Sequence, residues 1–232
     1  MMNINNAYRL TEKAYVFFDV DDTLIAVKSM LNFQDFWYEK YQDDAGKDEY
    51  YKDLRQQLHP DACWKELNRM YYRHFAGRRV IDVRARGEEW FNMMINKVSN
   101  FFHPIPLAEL RAHQQQGREI VFVSGSFPAL LRPIANYLQV KNILATTMEI
   151  EGGLYTGNIL EPQTIGEGKA DAIRVFLHAM GSSAKNCFAY GDDLSDIPML
   201  RAVGNPTVVR GGRHLEAHAQ QLGWRIISPT FG

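Results

Sequence analysis

The sequence predicts an α/β protein, a doubly wound parallel sheet with a helical insert after its first strand. Three observations predict it. Short aromatic and β-branched runs recur, at residues 15–20 (YVFFDV), 119–123 (EIVFV) and 187–190 (CFAY), and each turns at once into acidic or small polar residues. Helical patterns lie between the later runs. The stretch from 29 to 102 carries no strand pattern, and aromatic residues recur in it at helical spacing.

Taken in order, residues 15–20 read as a buried parallel strand, apolar on both faces, whose carboxyl end opens onto a crevice. The insert holds Trp37, Trp64 and Trp90, with Phe33, Phe36, Trp37 and Tyr41 on one stripe and Tyr71, Tyr72 and Phe75 on another. About four helices are expected there, with breaks at His59-Pro60 and Gly77. Residues 106–116, 128–138 and 168–180 read as helices, the first and last closed by Gly117 and Gly181. Weaker strands are expected at 142–145 and 207–209. In 149–162 (EIEGGLYTGNILEP), alternating residues around Gly152-Gly153 predict a β-hairpin. Strand–helix alternation with short connections is the pattern of a doubly wound sheet.

Bulk properties exclude little. The 232 residues are 46% hydrophobic and 23% charged, ordinary for a soluble globular chain. A net charge of −1 argues against a non-specific nucleic-acid or membrane-surface binder. No segment approaches the roughly 18 apolar residues of a membrane span, and the amino terminus lacks the pattern of a secretion signal. A cytoplasmic location is expected. Cys63 and Cys187 form no metal or redox motif and are expected as buried or partly buried thiols. Nothing in the sequence sets an oligomeric state.

Four polar groups follow the strand ends or open a helix. Asp19, Asp21 and Asp22 crowd together, and such carboxylates raise one another's pKa unless a cation joins them. Hard oxygen donors select magnesium. Asp19 and Asp21, two apart in extended chain, share a side and can flank one phosphorus as nucleophile and proton donor. Ser124, with the amides of Gly125 and Ser126, makes a cradle for an oxyanion or phosphate. Lys169 stands at a helix start, against the helix dipole, where it can offset a crowd of carboxylates. Asp192, Asp193 and Asp196 follow the strand at 187–190 and offer further metal ligands. Read singly, these are also an acidic turn, a Ser-Gly turn, a solvated lysine and an N-capped helix start.

Read together and in this order, the stretches DVDDTL, VFVSGS, GEGKADAI and GDDLSD make the chain resemble the haloacid dehalogenase-like superfamily of phosphohydrolases. The resemblance covers nearly the whole chain. It is nearest to subfamily IB, which includes phosphoserine phosphatases, and within that to its broad, poorly assigned branch. The resemblance implies a Rossmann-like core, residues 1–26 and 103–232, with a helical type 1 cap at 27–102. It implies that Asp19 becomes an aspartyl phosphate and that Asp21 protonates the leaving oxygen and then activates water. Magnesium would be held by Asp19, the Asp21 carbonyl and Asp192, with Asp193 or Asp196 nearby. Ser124 and Gly125 would hold phosphoryl oxygens, and Lys169 would offset charge. The partner is then a small phosphorylated metabolite.

One position departs from the family. Phosphoserine phosphatases carry a glutamate nine positions after the nucleophile, facing the substrate's ammonium, and Lys28 stands there in this chain. A lysine predicts that L-phosphoserine is a poor substrate and that a further anionic group is favoured. Arg69 and Arg73 on the tyrosine-rich stretch are expected to help bind it. A phospho-receiver domain would be about half this length without the insert. A halide-removing dehalogenase needs neither Asp21 nor a metal. Phosphoserine phosphatase proper and a phosphotransferase or phosphomutase remain the nearest alternatives.

Overall fold

The computed structural model describes residues 13–58, 63–212 and 215–231, so the break expected at His59-Pro60 lies outside the described residues. The strands are β1 (Tyr15–Phe18), β2 (Glu119–Ser124), β3 (Asn142–Ala145), β4 (Thr147–Glu151), β5 (Leu154–Leu160), β6 (Phe188–Gly191), β7 (Asn205–Val209) and β8 (Arg225–Ile227). Six form one sheet in the order β3-β2-β1-β6-β7-β8, every pairing parallel. The chain builds outward from β1 in one direction and then returns to build from its other side. The switch point therefore falls between β1 and β6, where ligands bind in such sheets.

The helices are α1 (Ser29–Tyr41), α2 (Asp44–Gln57), α3 (Trp64–Arg73), α4 (Val80–Lys97), α5 (Pro104–Gln115), α6 (Pro128–Tyr137), α7 (Glu167–Met180), α8 (Ile197–Arg201) and α9 (Leu215–Leu222). Both sheet faces are covered, which is why β1 is apolar throughout. Tyr15 and Phe17 pack with Ile173, Leu177 and Leu200 on one face. Val16 and Phe18 join Leu110, Leu130 and the insert's aromatics on the other. β4 and β5 form the expected hairpin, with Gly152 and Gly153 at positive φ (57° and 82°) in the turn. The short elements α8, α9 and β8 were not expected.

Among the described residues the insert holds the four expected helices, α1 to α4. Gly77, at φ 78°, sits in the α3–α4 link, which pairs with the hairpin through Gly77 N–H to Tyr155 O (2.9 Å) and Val80 N–H to Gly153 O (3.0 Å). α4 lies directly on α6, where a β-carbon on Gly87 would meet the Ala129 carbonyl oxygen at 2.1 Å. Phe33, Phe75 and Tyr71 surround Phe127, and the Arg78 guanidinium lies 4.4 Å from the Trp37 ring. The two segments that join insert to sheet pair with each other. Ala26 N–H donates to Phe101 O and His103 N–H to Leu24 O, both at 2.9 Å. Cys187 is buried, but Cys63 is exposed at the start of α3, contrary to expectation.

Candidate active site

Asp19 directly follows β1 and is still held by the sheet, its N–H donating to Tyr190 O at 2.9 Å. The chain then leaves the sheet in a tight turn, with Leu24 and Ile25 N–H both reaching Val20 O. Asp22 closes this turn at φ 60°, a left-handed conformation that aspartate tolerates better than most residues. The turn brings Asp21 to the first turn of α1. There its Oδ2 accepts from the Ser29 N–H (2.9 Å) and the Ser29 hydroxyl (3.0 Å). Asp21 Oδ1 is buried with no hydrogen-bond partner among the described residues.

β6, on the far side of the switch point, ends in Gly191 and then Asp192. A 3-10 turn (Leu194–Asp196) carries Asp196 back beneath the strand end. Its Oδ2 accepts from the N–H groups of Asp192 (3.1 Å) and Asp193 (3.2 Å). Gly191 has to be glycine, because a β-carbon there would lie 2.7 Å from that carboxylate. The other Asp196 oxygen takes Lys169 Nζ at 2.7 Å, and Lys169 also reaches Asp19 Oδ1 at 2.5 Å. Lys169 gets there from the first turn of α7 because the preceding loop folds tightly. A β-carbon on Gly168 would sit 1.8 Å from Gln163 O. Asp193 instead accepts from Ser195 N–H and caps the 3-10 turn. Of the two acids left open by the sequence, Asp196 is thus the one that meets Lys169.

Asp19, Asp192 and Asp196 are buried, with one oxygen of each lying within 4.8 Å of the others. Burial pushes Asp19 up to about 6, against the Lys169 ammonium, which holds it down. Burial, then Asp19 and Asp196, pushes Asp192 up to about 8. Burial, then Asp19, takes Asp21 up to about 7. Burial alone would lower the Lys169 pKa, but Asp19 and Asp196 outweigh it and hold the lysine charged. One buried ammonium cannot balance three buried carboxylates, which is why Asp19 and Asp192 hold their protons more tightly than usual; a second cation would let the converging oxygen donors ionise. Such a donor set fits a divalent cation of the magnesium kind. Thr23 steadies Asp192, its hydroxyl donating to Oδ1 at 2.8 Å.

Ser124 ends β2 on the other side of β1 and is buried. Its Oγ accepts the Ser126 N–H at 3.1 Å. The Gly125 carbonyl is held from α3, by Asn68 Nδ2 (3.0 Å) and the Tyr72 hydroxyl (2.7 Å). A β-carbon at Gly125 would press on Ile165 at 2.7 Å. The structure therefore gathers Asp19, Asp21, Lys169 and Asp192 at β1 and β6, with Ser124 and Gly125 at the adjoining strand end.

Two candidate binding residues stand differently. Lys28 is at the site, but its ammonium is half exposed and ion-paired with Asp22 at 2.6 Å. Arg73 is a correction. It is exposed and lines a separate groove beside β5 with Arg69 and Glu161, because buried Tyr71 and Tyr72 turn it outward. Arg69 is itself paired with Glu161 at 2.5 Å. Sequence reasoning missed Ser29, Thr23, Asn68 and Tyr72. A serine at the first residue of a helix right after an acidic turn was a usable signal for Ser29. Asn68 and Tyr72, four apart on one helix face, gave none.

The fold and this arrangement define a hydrolase of phosphate esters, and comparison with known proteins agrees. The model of the haloacid dehalogenase-like hydrolase family matches residues 16–201, and the chain belongs to that family. A protein named probable phosphatase from Mycobacterium tuberculosis is 32% identical over 220 residues, covering 91% of this chain and 74% of its own. A histidinol-phosphatase of Neisseria meningitidis is 24% identical over 220 residues, covering 93% and 99%. A crystal structure of a Bordetella pertussis protein of unknown function shares the fold, with a TM-score of 0.82 at 24% identity, covering 94% of this chain and all of that one. The chain is an enzyme of the phosphomonoesterase class. Among the described residues no helix is long and apolar enough to cross a membrane.

Proposed function

We propose that this enzyme is a magnesium-dependent phosphatase acting on a small phosphomonoester through an aspartyl phosphate on Asp19, without selectivity for L-phosphoserine. The observation that carries it is the pair of carboxylates flanking one crevice in different states. Asp19 is clamped by Lys169, while Asp21 is held by Ser29 through one oxygen and leaves the other bare.

In the first half-reaction an Asp19 oxygen bonds to phosphorus as the bond from phosphorus to the ester oxygen breaks. The proton on Asp21 Oδ1 goes to that departing oxygen, releasing an alcohol. Asp21, now ionised, takes a proton from water, whose oxygen attacks phosphorus and restores the Asp19 carboxylate and inorganic phosphate. Lys169 offsets charge around Asp19, while Ser124 and the Gly125 N–H orient phosphoryl oxygens. Catalysis is then mainly positioning and charge stabilisation. The Asp19 and Asp192 carboxylates and the Asp21 carbonyl would hold magnesium, which would supply positive charge to offset the carboxylates and the charge of the transferring phosphoryl group. We assign residues 1–26 and 103–232 to the catalytic core and 27–102 to a cap over the crevice. Lys28 at the site, where an ammonium-binding acid would serve phosphoserine, supports the exclusion of that substrate. The test is Asp19→Asn, an amide that cannot attack phosphorus. Turnover of 4-nitrophenyl phosphate with magnesium is expected to fall by several orders of magnitude, with the thermal unfolding transition kept. A folded variant with near-native turnover would overturn the proposal.

A further inference from the structure

Beside Asp21 the structure holds a cavity of about 180 Å³ within the insert, whose lining is almost wholly apolar. Met30, Leu31, Leu54, Leu67 and Met70 from α1 to α3, with Ile165 from the loop before α7, make most of its wall. Its charged members are Asp21 and Lys28, and Lys28 is already paired with Asp22. Neither Arg69 nor Arg73 lines it. Tyr50 and Tyr71 do, and their buried hydroxyls have no hydrogen-bond partner among the described residues.

The placement matters more than the volume. Asp21 is the residue that protonates the departing ester oxygen in the proposed reaction, so a cavity lined by Asp21 lies beside the place where that oxygen's substituent goes. We infer that the substrate is the phosphomonoester of an uncharged alcohol with an apolar, ring-sized body, which fills this cavity while the phosphoryl group meets Asp19. The inference rests on the phosphatase reading and adds the substrate class to it. An apolar cavity of roughly 150 Å³ is enough to take up benzene, so 180 Å³ admits one six-membered ring or a short branched chain. The cation of the lining, Lys28, is already paired with Asp22, so the further anionic group expected from Lys28 would have to compete with that ion pair, and an ammonium would meet mostly leucine and methionine. The ammonium and carboxylate of phosphoserine would be stripped of water against leucine and methionine, which is strongly unfavourable.

The experiment compares kcat/KM for primary-alcohol phosphates of similar leaving-group basicity: methyl, butyl and benzyl phosphate, glycerol 1-phosphate and L-phosphoserine. Burying a methylene is worth roughly 0.8 kcal/mol, about fourfold. Butyl and benzyl phosphate are thus expected to exceed methyl phosphate and glycerol 1-phosphate by at least about tenfold. Leu31→Asn, at a partly exposed part of the wall, is expected to shrink the benzyl-to-glycerol ratio several-fold. A ranking led by glycerol 1-phosphate or phosphoserine overturns the substrate class and leaves the phosphatase reading standing; so does a ratio that Leu31→Asn does not change. If no ester is hydrolysed, the phosphatase reading fails, and binding still decides this inference. Benzylphosphonate should bind at least about tenfold tighter than methylphosphonate by calorimetry, and equal affinity overturns it.

Discussion

Replacing Lys169 with methionine keeps the length of the side chain and removes its charge. In the wild type Nζ lies 2.5 Å from Asp19 and 2.7 Å from Asp196, all three buried. At an effective dielectric of about 20 each contact is worth roughly 6 kcal/mol before desolvation is counted. Much of that is offset by desolvation, and removing one member of a buried ionic group typically costs about 3–5 kcal/mol net. Asp196 is the more exposed to this loss, because it cannot move: its other oxygen is held by the backbone of Asp192 and Asp193. Asp19 loses the largest interaction that opposes its burial, leaving only the weaker pull of Lys28, so its pKa rises further and less of it is ionised to attack phosphorus. Lys169→Met is expected to lose about 3 kcal/mol or more in urea unfolding at pH 7 in chelator, and roughly a hundredfold or more in kcat. Magnesium should restore part of the stability by recharging the cluster, and Lys169→Arg should keep more stability than Lys169→Met. A Lys169→Met protein within about 1 kcal/mol of wild type, with more than a tenth of its activity, would refute the reasoning.

Ser29→Ala removes one of the two donors that orient Asp21. It should lower kcat by about tenfold to a hundredfold for alkyl phosphates and far less for 4-nitrophenyl phosphate, whose leaving oxygen needs little protonation. Equal losses on both would refute the positioning role. A second prediction concerns stability and pH. His113 donates from Nε2 to the Tyr190 hydroxyl (2.8 Å), accepts from Arg118 at Nδ1 (2.7 Å), and Tyr190 donates to Glu109, which is paired with Arg225. Burial, then Arg118, lowers its pKa to about 4. The unfolded chain takes up this proton near pH 6.5 and the folded chain only near 4, so the contribution is full above 6.5 and lost as pH falls through 4. It is at most about 3 kcal/mol. The stability difference between wild type and His113→Gln should be constant above pH 7 and shrink towards pH 4. A difference that grows on acidification would refute it.

How much of this was legible in the sequence depended on how local the signal was. The abrupt change from YVFF to acid marked both a buried strand and a strand-end site, because one physical fact, burial on two faces, produces both. The hairpin turn was legible for a similar reason, since Gly152 and Gly153 adopt conformations that few other residues do. Asp193 and Asp196 were not separable, because both lie within one turn and only its 3-10 geometry decides which reaches Lys169. Arg73 was misplaced because the tyrosine stripe fixed no rotation for α3, and the buried Tyr71–Tyr72 face turns Arg73 outward. Lys28 lies beside Asp21, yet its pairing with Asp22 follows from a left-handed turn that composition does not announce. β8 escaped because a three-residue strand at a sheet edge, with two isoleucines, carries too little pattern. The aromatic stripes of the insert marked its helices but not its cavity, since the leucines and methionines that wall the space beside Asp21 come from three separate helices.

The central claim is that phosphate passes through a covalent bond to Asp19, and trapping that bond tests it most directly. The enzyme is quenched in acid during turnover of 4-nitrophenyl phosphate with magnesium, reduced with borohydride, digested and read by mass spectrometry. An acyl phosphate on Asp19 is reduced to homoserine, so homoserine at position 19, dependent on substrate and absent from Lys169→Met quenched in parallel before turnover, is the predicted result. Sustained turnover with aspartate intact at position 19 and the phosphoryl group found on another residue, or on none, would contradict the account.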